Sequence, residues 1–382
     1  MRVVFVVDIS GKVSHYDLEL CDALNLRRED RYSIYLLSPL YKEDNKNNTL
    51  RLCNLVPKKY MNSSNSFKRL LKLIELILNY LLLIRYVVKK RPEILHFQWF
   101  PLLEVSSMEQ IPIKVIRRIS PNIKILYTIH NVFPHNYAEG KKEIYKLRFS
   151  KIANYIDSFI VHTNQTKEEV KSVYCLKDSC IKVVNHGIFS AKGFIPNKNY
   201  LSKERVEFII FGSLSKYKGV DIFIDAFRQL PQDYLNHVHG VIAGTLQDET
   251  IIKKIQEEGD KLNIECYPYY LSDNDLYQLI NKSNVIVLPY RQISQSGVLL
   301  LSLRFRRYII TSDLPTFKET LRGFTEDMFF QSSNPQSLAN LIMRIVDGKF
   351  DFRLQEKVIE ELNTEYSWEN SAIKTLTIYN EL

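Results

Sequence analysis

The chain has 382 residues and a formal net charge of +9. This length exceeds what one ordinary hydrophobic core needs, and it predicts two domains, each large enough to bury most of its apolar surface. Five cysteines are scattered without a CxxC pair, which argues against structural zinc and against a disulfide framework and predicts a cytoplasmic protein.

The first apolar run begins directly after Met1-Arg2 and reads VVFVVDI. Its length fits a buried strand of a parallel sheet better than the apolar part of a signal peptide. Apolar runs and helical patterns then alternate, which is typical of an α/β fold whose parallel sheet is covered on both faces. The predicted strands of this first domain are 3–7, 32–37, 94–97, 123–129, 159–162 and 181–184, and its predicted helices include 16–26 and 66–90.

The segment 57–91 concentrates the positive charge, with nine basic residues against Glu75 and a local net charge of +8. Its longest stretch without a charged residue, Leu76–Ile84, is far shorter than the roughly 20 residues of a membrane span. Two interpretations stay open: a helix buried on the sheet with basic ends, or a helix whose basic flank also rests on anionic lipid. We predict burial for the apolar face and an anionic membrane surface as partner for the charged flank, which would place the protein at the inner face of the membrane. Nucleic acid is not predicted as a partner, because no helix-turn-helix, RNP or zinc-finger pattern accompanies the charge.

A polar interval at 190–205, which contains Gly193 and Pro196, predicts a linker. The alternation restarts at 206 and continues to about 365, so the predicted Rossmann-like domains are 1–189 and 206–365. The predicted strands of the second domain are 208–211, 239–243, 264–268, 285–289 and 308–311. In such sheets, ligands lie at the carboxyl ends of the strands.

The most informative stretch is 207–227, which reads EFIIFGSLSKYKGVDIFIDAF. A predicted strand ends at Gly212-Ser213, and a predicted helix begins after Lys218-Gly219. Backbone N–H groups at the helix start and the lysine ammonium then face one point, which predicts an anion site suited to phosphate.

A second unit of the same kind, VIVLPYRQISQSGVLLLSL, lies at 285–303. Pro289 ends the predicted strand, and the next helix is predicted to begin between Ser294 and Gly297. Serine at a helix start caps free N–H groups, and glycine lets a ligand approach the backbone closely. Two strand ends therefore offer amides to one ligand.

These two stretches resemble the nucleotide-sugar domain of two-Rossmann-domain glycosyltransferases, and in particular the retaining family 4, also called group 1. The resemblance covers most of the chain. It implies the GT-B fold, an α/β fold with two Rossmann-like domains facing each other across a cleft, and a C-terminal helix, 366–382, that returns to the first domain. It also implies that the chain is a hexosyltransferase-type enzyme. Such an enzyme would move a sugar, with retention, from a nucleoside-diphosphate sugar to a glycan or lipid-linked acceptor in surface polysaccharide synthesis.

The resemblance also implies roles for single residues. The family lysine that matches Lys218 grips the diphosphate and stabilises the leaving group. The histidine that matches His130 approaches the donor sugar from the first domain, where it could donate to a hydroxyl or to the departing phosphate oxygen. The family usually has arginine where this chain has Ser213, and Arg291 or Lys216 could supply that charge.

The glutamate pair of the family falls on Ser294 and Ser302, so neither position carries a charge. We interpret the chain as a subgroup without this pair, the alternative being a degenerate, inactive domain. The side chains of Gln295 and Ser296 could still bind sugar hydroxyls, and the amides of Gly297 and Val298 could still bind phosphate. The base would lie near the predicted loop at Tyr270, and Gly11 matches the family's glycine loop after the first strand. The predicted donor-binding residues are Gly11, Gly212, Ser213, Lys218, Tyr270, Leu271, Tyr290, Arg291, Gln295, Ser296, Gly297, Val298 and Ser302.

Neither a metal ion nor another cofactor is predicted, because the sequence has no HExxH motif and no Cys/His cluster with metal-ligand spacing. Two alternatives remain for the function. One is a nucleotide-sugar epimerase of the same fold, and the other is a non-catalytic subunit that binds nucleotide sugar or lipid.

Overall fold

Two compact units make up the structure, a computed structural model that describes the chain except for residues 12, 29, 40–47, 56–65, 135–138, 190–193, 196–204, 247 and 294–295; of residues 14, 66, 67 and 139 it describes the backbone alone. Met1–Gly187 together with Ser367–Leu382 form unit 1, and Ile188–Tyr366 form unit 2. Each unit has a parallel sheet covered by helices, so the prediction of an α/β protein with two Rossmann-like domains is confirmed.

Seven parallel strands form the sheet of unit 1. They are β1 (Arg2–Asp8), β2 (Tyr32–Ser38), β3 (Thr49–Arg51), β4 (Ile94–Trp99), β5 (Lys124–Thr128), β6 (Ser158–Val161) and β7 (Ile181–Val183). Their order across the sheet is β3-β2-β1-β4-β5-β6-β7. Alternate residues of β1 enter different cores: Phe5 and Val7 pack on one face of the sheet, and Val4 and Val6 pack on the other. The run VVFVV is therefore continuously apolar because β1 is a central strand with both faces covered.

Helices cover both faces of this sheet. They are α1 (Ser14–Arg27), α2 (Ser66–Lys90), α3 (Gln110–Ile119), α4 (Lys142–Ala153), α5 (Asn164–Tyr174) and, from the end of the chain, α14 (Trp368–Glu381). Side chains of α1 and α14 share one core with Val4 and Val6. Side chains of α2, α3, α4 and α5 share the opposite core with Phe5 and Val7.

Helix α2 has two apolar sides. Its inner side, with Leu76, Tyr80, Leu83 and Val87, packs in the core as predicted. Its outer side is apolar too, because leucine, isoleucine and valine recur there at helical spacing. These exposed residues are Leu70, Leu73, Ile74, Ile77, Leu78, Leu81 and Val88, which we call the outer stripe. The prediction that the apolar face of this helix is buried is therefore correct for one side only. Across the described ranges, no helix combines the length and the apolar character that crossing a membrane requires.

Six parallel strands form the sheet of unit 2. They are β8 (Val206–Phe211), β9 (Val238–Ala243), β10 (Ile264–Tyr267), β11 (Val285–Leu288), β12 (Tyr308–Ser312) and β13 (Phe329–Phe330), in the order β10-β9-β8-β11-β12-β13. The helices are α6 (Val220–Arg228), α7 (Gln232–Leu235), α8 (Glu249–Leu262), α9 (Asp273–Lys282), α10 (Gly297–Phe305), α11 (Pro315–Thr320), α12 (Pro335–Val346) and α13 (Phe352–Glu365). The strand order reverses between β8 and β11, and the crevice beyond the carboxyl ends of such strands is where ligands bind in open α/β sheets.

Candidate functional site

The loops after β8 and β11 pack closely at the point where the strand order of unit 2 reverses. Gly219 has a positive φ of 69°, and a Cβ atom placed on it would lie 2.0 Å from the carbonyl oxygen of Pro289. Gly244, after β9, would in the same way bring a Cβ atom to 2.0 Å from the carbonyl oxygen of Gly212. Only glycine permits these approaches, so the exits of three strands are held together at backbone distance.

Lys218 lies in the middle of this junction. It ends a short 3₁₀ turn, Lys216–Lys218, and its side chain is only 6% exposed. Its Nζ lies 5.1 Å from the centre of the Tyr290 ring, and a Cβ atom placed on Gly212 would lie 3.3 Å from it. Over the part of the chain that the structure describes, Nζ makes no hydrogen bond and no ion pair. Burial lowers the pKa of Lys218 to about 8.

The N-terminus of α10 reaches the same point. A Cβ atom placed on Gly212 would lie 3.2 Å from Cγ2 of Val298, in the first turn of the helix. Ser296 caps the helix, since its side chain accepts from the amide of Leu299 at 3.1 Å. The amides of Gly297 and Val298 belong to the helix start, where N–H groups have no intrahelical acceptor. A buried ammonium without a counter-ion, next to a helix N-terminus, is an arrangement that an anion such as phosphate would stabilise.

The pH dependence of the reaction should report on Lys218. Below pH 8 its ammonium is charged and can bind an anionic substrate, and above pH 8 the free protein loses this charge. Because kcat/KM reports the free enzyme, we expect kcat/KM to be constant below about pH 8 and to fall about tenfold per pH unit above it. A pH profile of kcat/KM from pH 6 to 10 measures this. In the variant Lys218→Arg the alkaline fall should disappear, because arginine stays charged; an unchanged fall in that variant would contradict the assignment.

Arg291, a candidate for the missing family cation, has its charge balanced by Asp221. Its Nη1 and Nη2 atoms bind the Asp221 carboxylate at 2.9 and 2.6 Å, and Nη1 also donates to the carbonyl oxygen of Lys216. The guanidinium therefore holds the turn that carries Lys218 in place, and its charge is paired with a carboxylate. Ser213 and Lys216 are exposed on the β8 loop.

The other predicted donor-binding residues fall into three groups. Tyr290 is fully buried below Lys218, and burial raises the pKa of its hydroxyl. Ser302 is also fully buried, and its hydroxyl donates to the carbonyl oxygen of Val298 at 2.7 Å. The proton of this hydroxyl is therefore used in a hydrogen bond within α10. Tyr270, 80% exposed, and Leu271 lie in the loop between β10 and α9. Gln295 lies outside the described residues, as does Ser294, one of the two positions where the family has glutamate.

No metal centre is visible in the described ranges, where no three His, Cys, Asp or Glu side chains are placed to hold an ion. The prediction that the reaction uses neither metal nor cofactor stays a prediction.

In unit 1, the loop that carries Gly11 is held by Asp8 at the end of β1. The Asp8 carboxylate accepts from the amides of Ser10, Gly11 and Val13 at 3.1, 2.9 and 3.1 Å. Asp17, on α1, is fully buried, and neither of its carboxyl oxygens has a hydrogen-bond partner among the described residues. Burial and then the neighbouring Asp8 carboxylate raise the pKa of Asp17 well above its ordinary value.

His130 follows β5 and is 9% exposed. Its ring lies 4.8 Å from that of Tyr16 in an edge-on arrangement, and its Nδ1 atom lies 3.2 Å from Nε2 of His162. His135, its sequence neighbour, lies outside the described residues. The sequence analysis assigned no role to His162 or to Asp17. The available signal was that two consecutive strands, β5 and β6, are each followed closely by a histidine.

Each of the two units has the parallel, helix-covered sheet of a Rossmann-like domain, and the solved structures similar to this chain are glycosyltransferases of the GT-B fold. HepE from Anabaena, solved in complex with UDP and glucose, is 14% identical with a TM-score of 0.69, and the match covers 100% of both chains. The lipopolysaccharide outer core galactosyltransferase WaaB is 14% identical with a TM-score of 0.66, again over 100% of both chains.

The family is shown by two adjoining matches. The model of "Glycosyl transferases group 1" matches residues 192–363, and that of "Glycosyltransferase Family 4" matches residues 18–191. The chain belongs to the group 1/family 4 glycosyltransferases, as its resemblance predicted. A curated relative, GDP-mannose:glycolipid 4-beta-D-mannosyltransferase of Xanthomonas campestris pv. campestris, is 27% identical over 100 residues. That match spans 26% of this chain and 28% of the relative's length.

Proposed function

We propose that the protein moves a sugar, with retention of configuration, from a nucleoside-diphosphate sugar to a glycan or lipid-linked acceptor in surface polysaccharide synthesis. The observation that carries this proposal is the buried ammonium of Lys218, which has no counter-ion among the described residues and lies between Gly212 and the start of α10. A diphosphate supplies the charge that this ammonium lacks, and the amides of Gly297 and Val298 would share it.

In the proposed reaction, the acceptor hydroxyl attacks the anomeric carbon on the face from which the diphosphate leaves. The bond from that carbon to the diphosphate oxygen breaks, and the departing oxygen takes the acceptor's proton. Lys218 and the amides of α10 stabilise the negative charge that develops on the leaving group, which is where such donors have their largest effect. No nucleophilic side chain is needed. The family 4 match supports retention.

The proposal for the acceptor class is supported by the names of similar proteins. The Xanthomonas relative is named for a glycolipid acceptor, and WaaB for the lipopolysaccharide outer core. The donor proposal draws similar support from HepE, which was solved with UDP and glucose. The nucleotide base would bind near Tyr270 and Leu271, whose exposed loop follows β10.

An anomeric assay tests the proposal. The protein is incubated with a panel of UDP-, GDP- and dTDP-sugars, with and without lipid-linked oligosaccharide acceptors, and nucleoside diphosphate release is measured. We expect release with one donor to rise at least tenfold when acceptor is added, and the product to keep the donor's anomeric configuration by proton NMR. An inverted product would refute retention.

The same assay separates the alternatives. Release at an equal rate without acceptor would indicate an epimerase. Thermal stabilisation by a nucleotide sugar without any turnover would indicate a non-catalytic subunit; a ligand at a hundred times its Kd adds about 2.7 kcal/mol to the free energy of unfolding.

We also propose that α2 binds an anionic membrane surface. The outer stripe offers seven exposed apolar side chains, and Arg69, Arg85, Lys89, Lys90 and Arg91 are exposed on the same helix and directly after it. An apolar stripe flanked by cations is the pattern of a helix that lies in the interface of anionic lipid. Residues 57–65 of the predicted basic segment lie outside the described residues, so the proposal rests on α2 and on Arg91 directly after it.

A further inference from the structure

His130 and His162 stand side by side at the carboxyl ends of neighbouring strands. Thr128 of β5 pairs with Ile160 of β6, and each histidine follows two residues later. Position along the strand therefore places both imidazoles in one row on the face that α1 covers. The contact between Nδ1 of His130 and Nε2 of His162, at 3.2 Å, follows from this register.

The protons on this pair can be assigned from the hydrogen bonds. Nδ1 of His162 lies 2.9 Å from the carbonyl oxygen of Val184, and a carbonyl only accepts, so this nitrogen carries a proton. Burial lowers the pKa of His162 to about 4, so its ring is neutral and its Nε2 has a lone pair. Nδ1 of His130 must then be the donor to that lone pair.

His130 is left with an unprotonated Nε2. Burial, together with the neighbouring histidines His162, His186 and His96, lowers the pKa of His130 well below its ordinary value, so this ring is neutral too. Its Nε2 is buried and has no hydrogen-bond partner among the described residues. A buried acceptor without a partner costs free energy, and in a native protein it calls for an explanation such as a ligand.

We propose that His162 is a positioning residue that fixes the tautomer of His130, so that Nε2 of His130 accepts a hydrogen bond from a hydroxyl of the substrate. This inference rests on the proposed function, in which the substrates are sugars that carry hydroxyl groups. It changes the role that the resemblance implied: a neutral ring with its proton on Nδ1 cannot donate to the departing phosphate oxygen from Nε2. The Tyr16 ring, edge-on at 4.8 Å, packs against His130 and itself contacts His186 and Trp368, so the imidazole is held in place.

Nitrogen-15 NMR of the free protein tests the tautomer directly. The spectrum of histidine-labelled protein should show His130, assigned by its loss in His130→Gln, with Nε2 unprotonated and Nδ1 protonated. In His162→Phe the acceptor for Nδ1 is gone, and the His130 signals should move to the opposite tautomer or to an exchanging mixture. His162→Gln keeps an acceptor oxygen and should preserve most of the original tautomer.

His96→Phe is the matched control. His96 is also buried and neutral, but its ring nitrogens bind Tyr379 and Thr128 at 2.8 and 2.7 Å. Its loss should lower the melting temperature without changing the His130 tautomer. A purely structural role for His162 would give the same result, a lower melting temperature and unchanged His130 signals, and would overturn the proposal.

Kinetics give the second readout. With the donor found in the anomeric assay, kcat/KM of His162→Phe should fall about tenfold, the size of one lost hydrogen bond, and His162→Gln should recover most of it. Full activity of His162→Phe would overturn the proposal, as would a wild-type spectrum with the proton on Nε2. The two proposals fail separately: the spectrum needs no substrate, so it decides the tautomer even if no transfer is found. Conversely, transfer with the opposite tautomer would leave the proposed function standing.

Discussion

Replacing Lys218 by methionine should lower kcat/KM for sugar transfer at least a hundredfold and at the same time stabilise the protein. The loss of activity follows because the ammonium is the side-chain cation buried at the β8–β11 junction, and one well-placed donor to a developing negative charge is worth about a hundred- to a thousandfold in rate. Methionine keeps most of the side-chain volume, so the packing over Tyr290 is preserved. Transfer is measured by nucleoside diphosphate release, and stability by urea unfolding.

The gain in stability has a defined sign. The folded protein binds the Lys218 proton less tightly than the unfolded chain does, so the cost of burying the charge is fully present below pH 8 and disappears as the pH rises toward the ordinary value of lysine. This cost is about 3 kcal/mol in the free energy of unfolding at pH 7, and Lys218→Met should recover a large part of it.

Two other lysines serve as comparisons for Lys218→Met. Lys253, exposed on α8, is the control, and Lys253→Met should leave activity and stability unchanged. Lys216→Met tests the other lysine of the same turn. If the activity of this variant falls as far as that of Lys218→Met, both lysines contribute positive charge to the site. Unimpaired transfer by Lys218→Met would refute the proposed mechanism.

Replacing Ile77 and Leu81 of the outer stripe by glutamine should weaken binding to anionic vesicles about a hundredfold. Both side chains are more than half exposed, and burying each in the lipid interface should contribute roughly 1.4 kcal/mol, slightly less than full burial of an aliphatic side chain gives. Because they face outward, the variant should fold normally. Co-sedimentation with phosphatidylglycerol-containing and with pure phosphatidylcholine vesicles measures the affinity.

Two exposed apolar residues on the helices that cover the opposite face of the same sheet serve as a control, because they test whether any exposed apolar side chain contributes to vesicle binding. Leu26 of α1 and Ile373 of α14 are also exposed, and Leu26→Gln with Ile373→Gln should keep full vesicle affinity. Changing Arg85 and Lys89 to glutamine should cost about thirtyfold on anionic vesicles only, since each cation near the surface is worth about 1 kcal/mol. Equal binding by all these variants would remove α2 from any role at membranes.

The elements that could be predicted from the sequence are those with a continuous local signal. β1 and β8 are apolar on both faces, and α2 has a helical period along 25 residues, so the fold class and the family followed. Strand β3, with the sequence TLR, carries too little apolar character to be recognised, and it exists because its backbone pairs with Leu36–Ser38 of β2.

For the site, the sequence could place Lys218 on a strand-loop-helix junction but could not predict its burial. Burial depends on Tyr290, which arrives from a strand far along the chain. The pairing of Arg291 with Asp221 is equally nonlocal, and for that reason the sequence alone could not tell that this charge is balanced. The His130–His162 contact needed the register of β5 against β6, which single-sequence patterns do not contain.

The tight backbone approach of Gly219 to Pro289 and of Gly244 to Gly212 has a consequence for engineering. Gly219 and Gly244 tolerate no added side-chain atom, because a Cβ atom there would lie 2.0 Å from a carbonyl oxygen. A library of variants aimed at a new sugar donor should therefore leave both positions unchanged. The side chains of Ser213 and Tyr270 are exposed. Diversity introduced at those positions would leave the scaffold that carries Lys218 untouched.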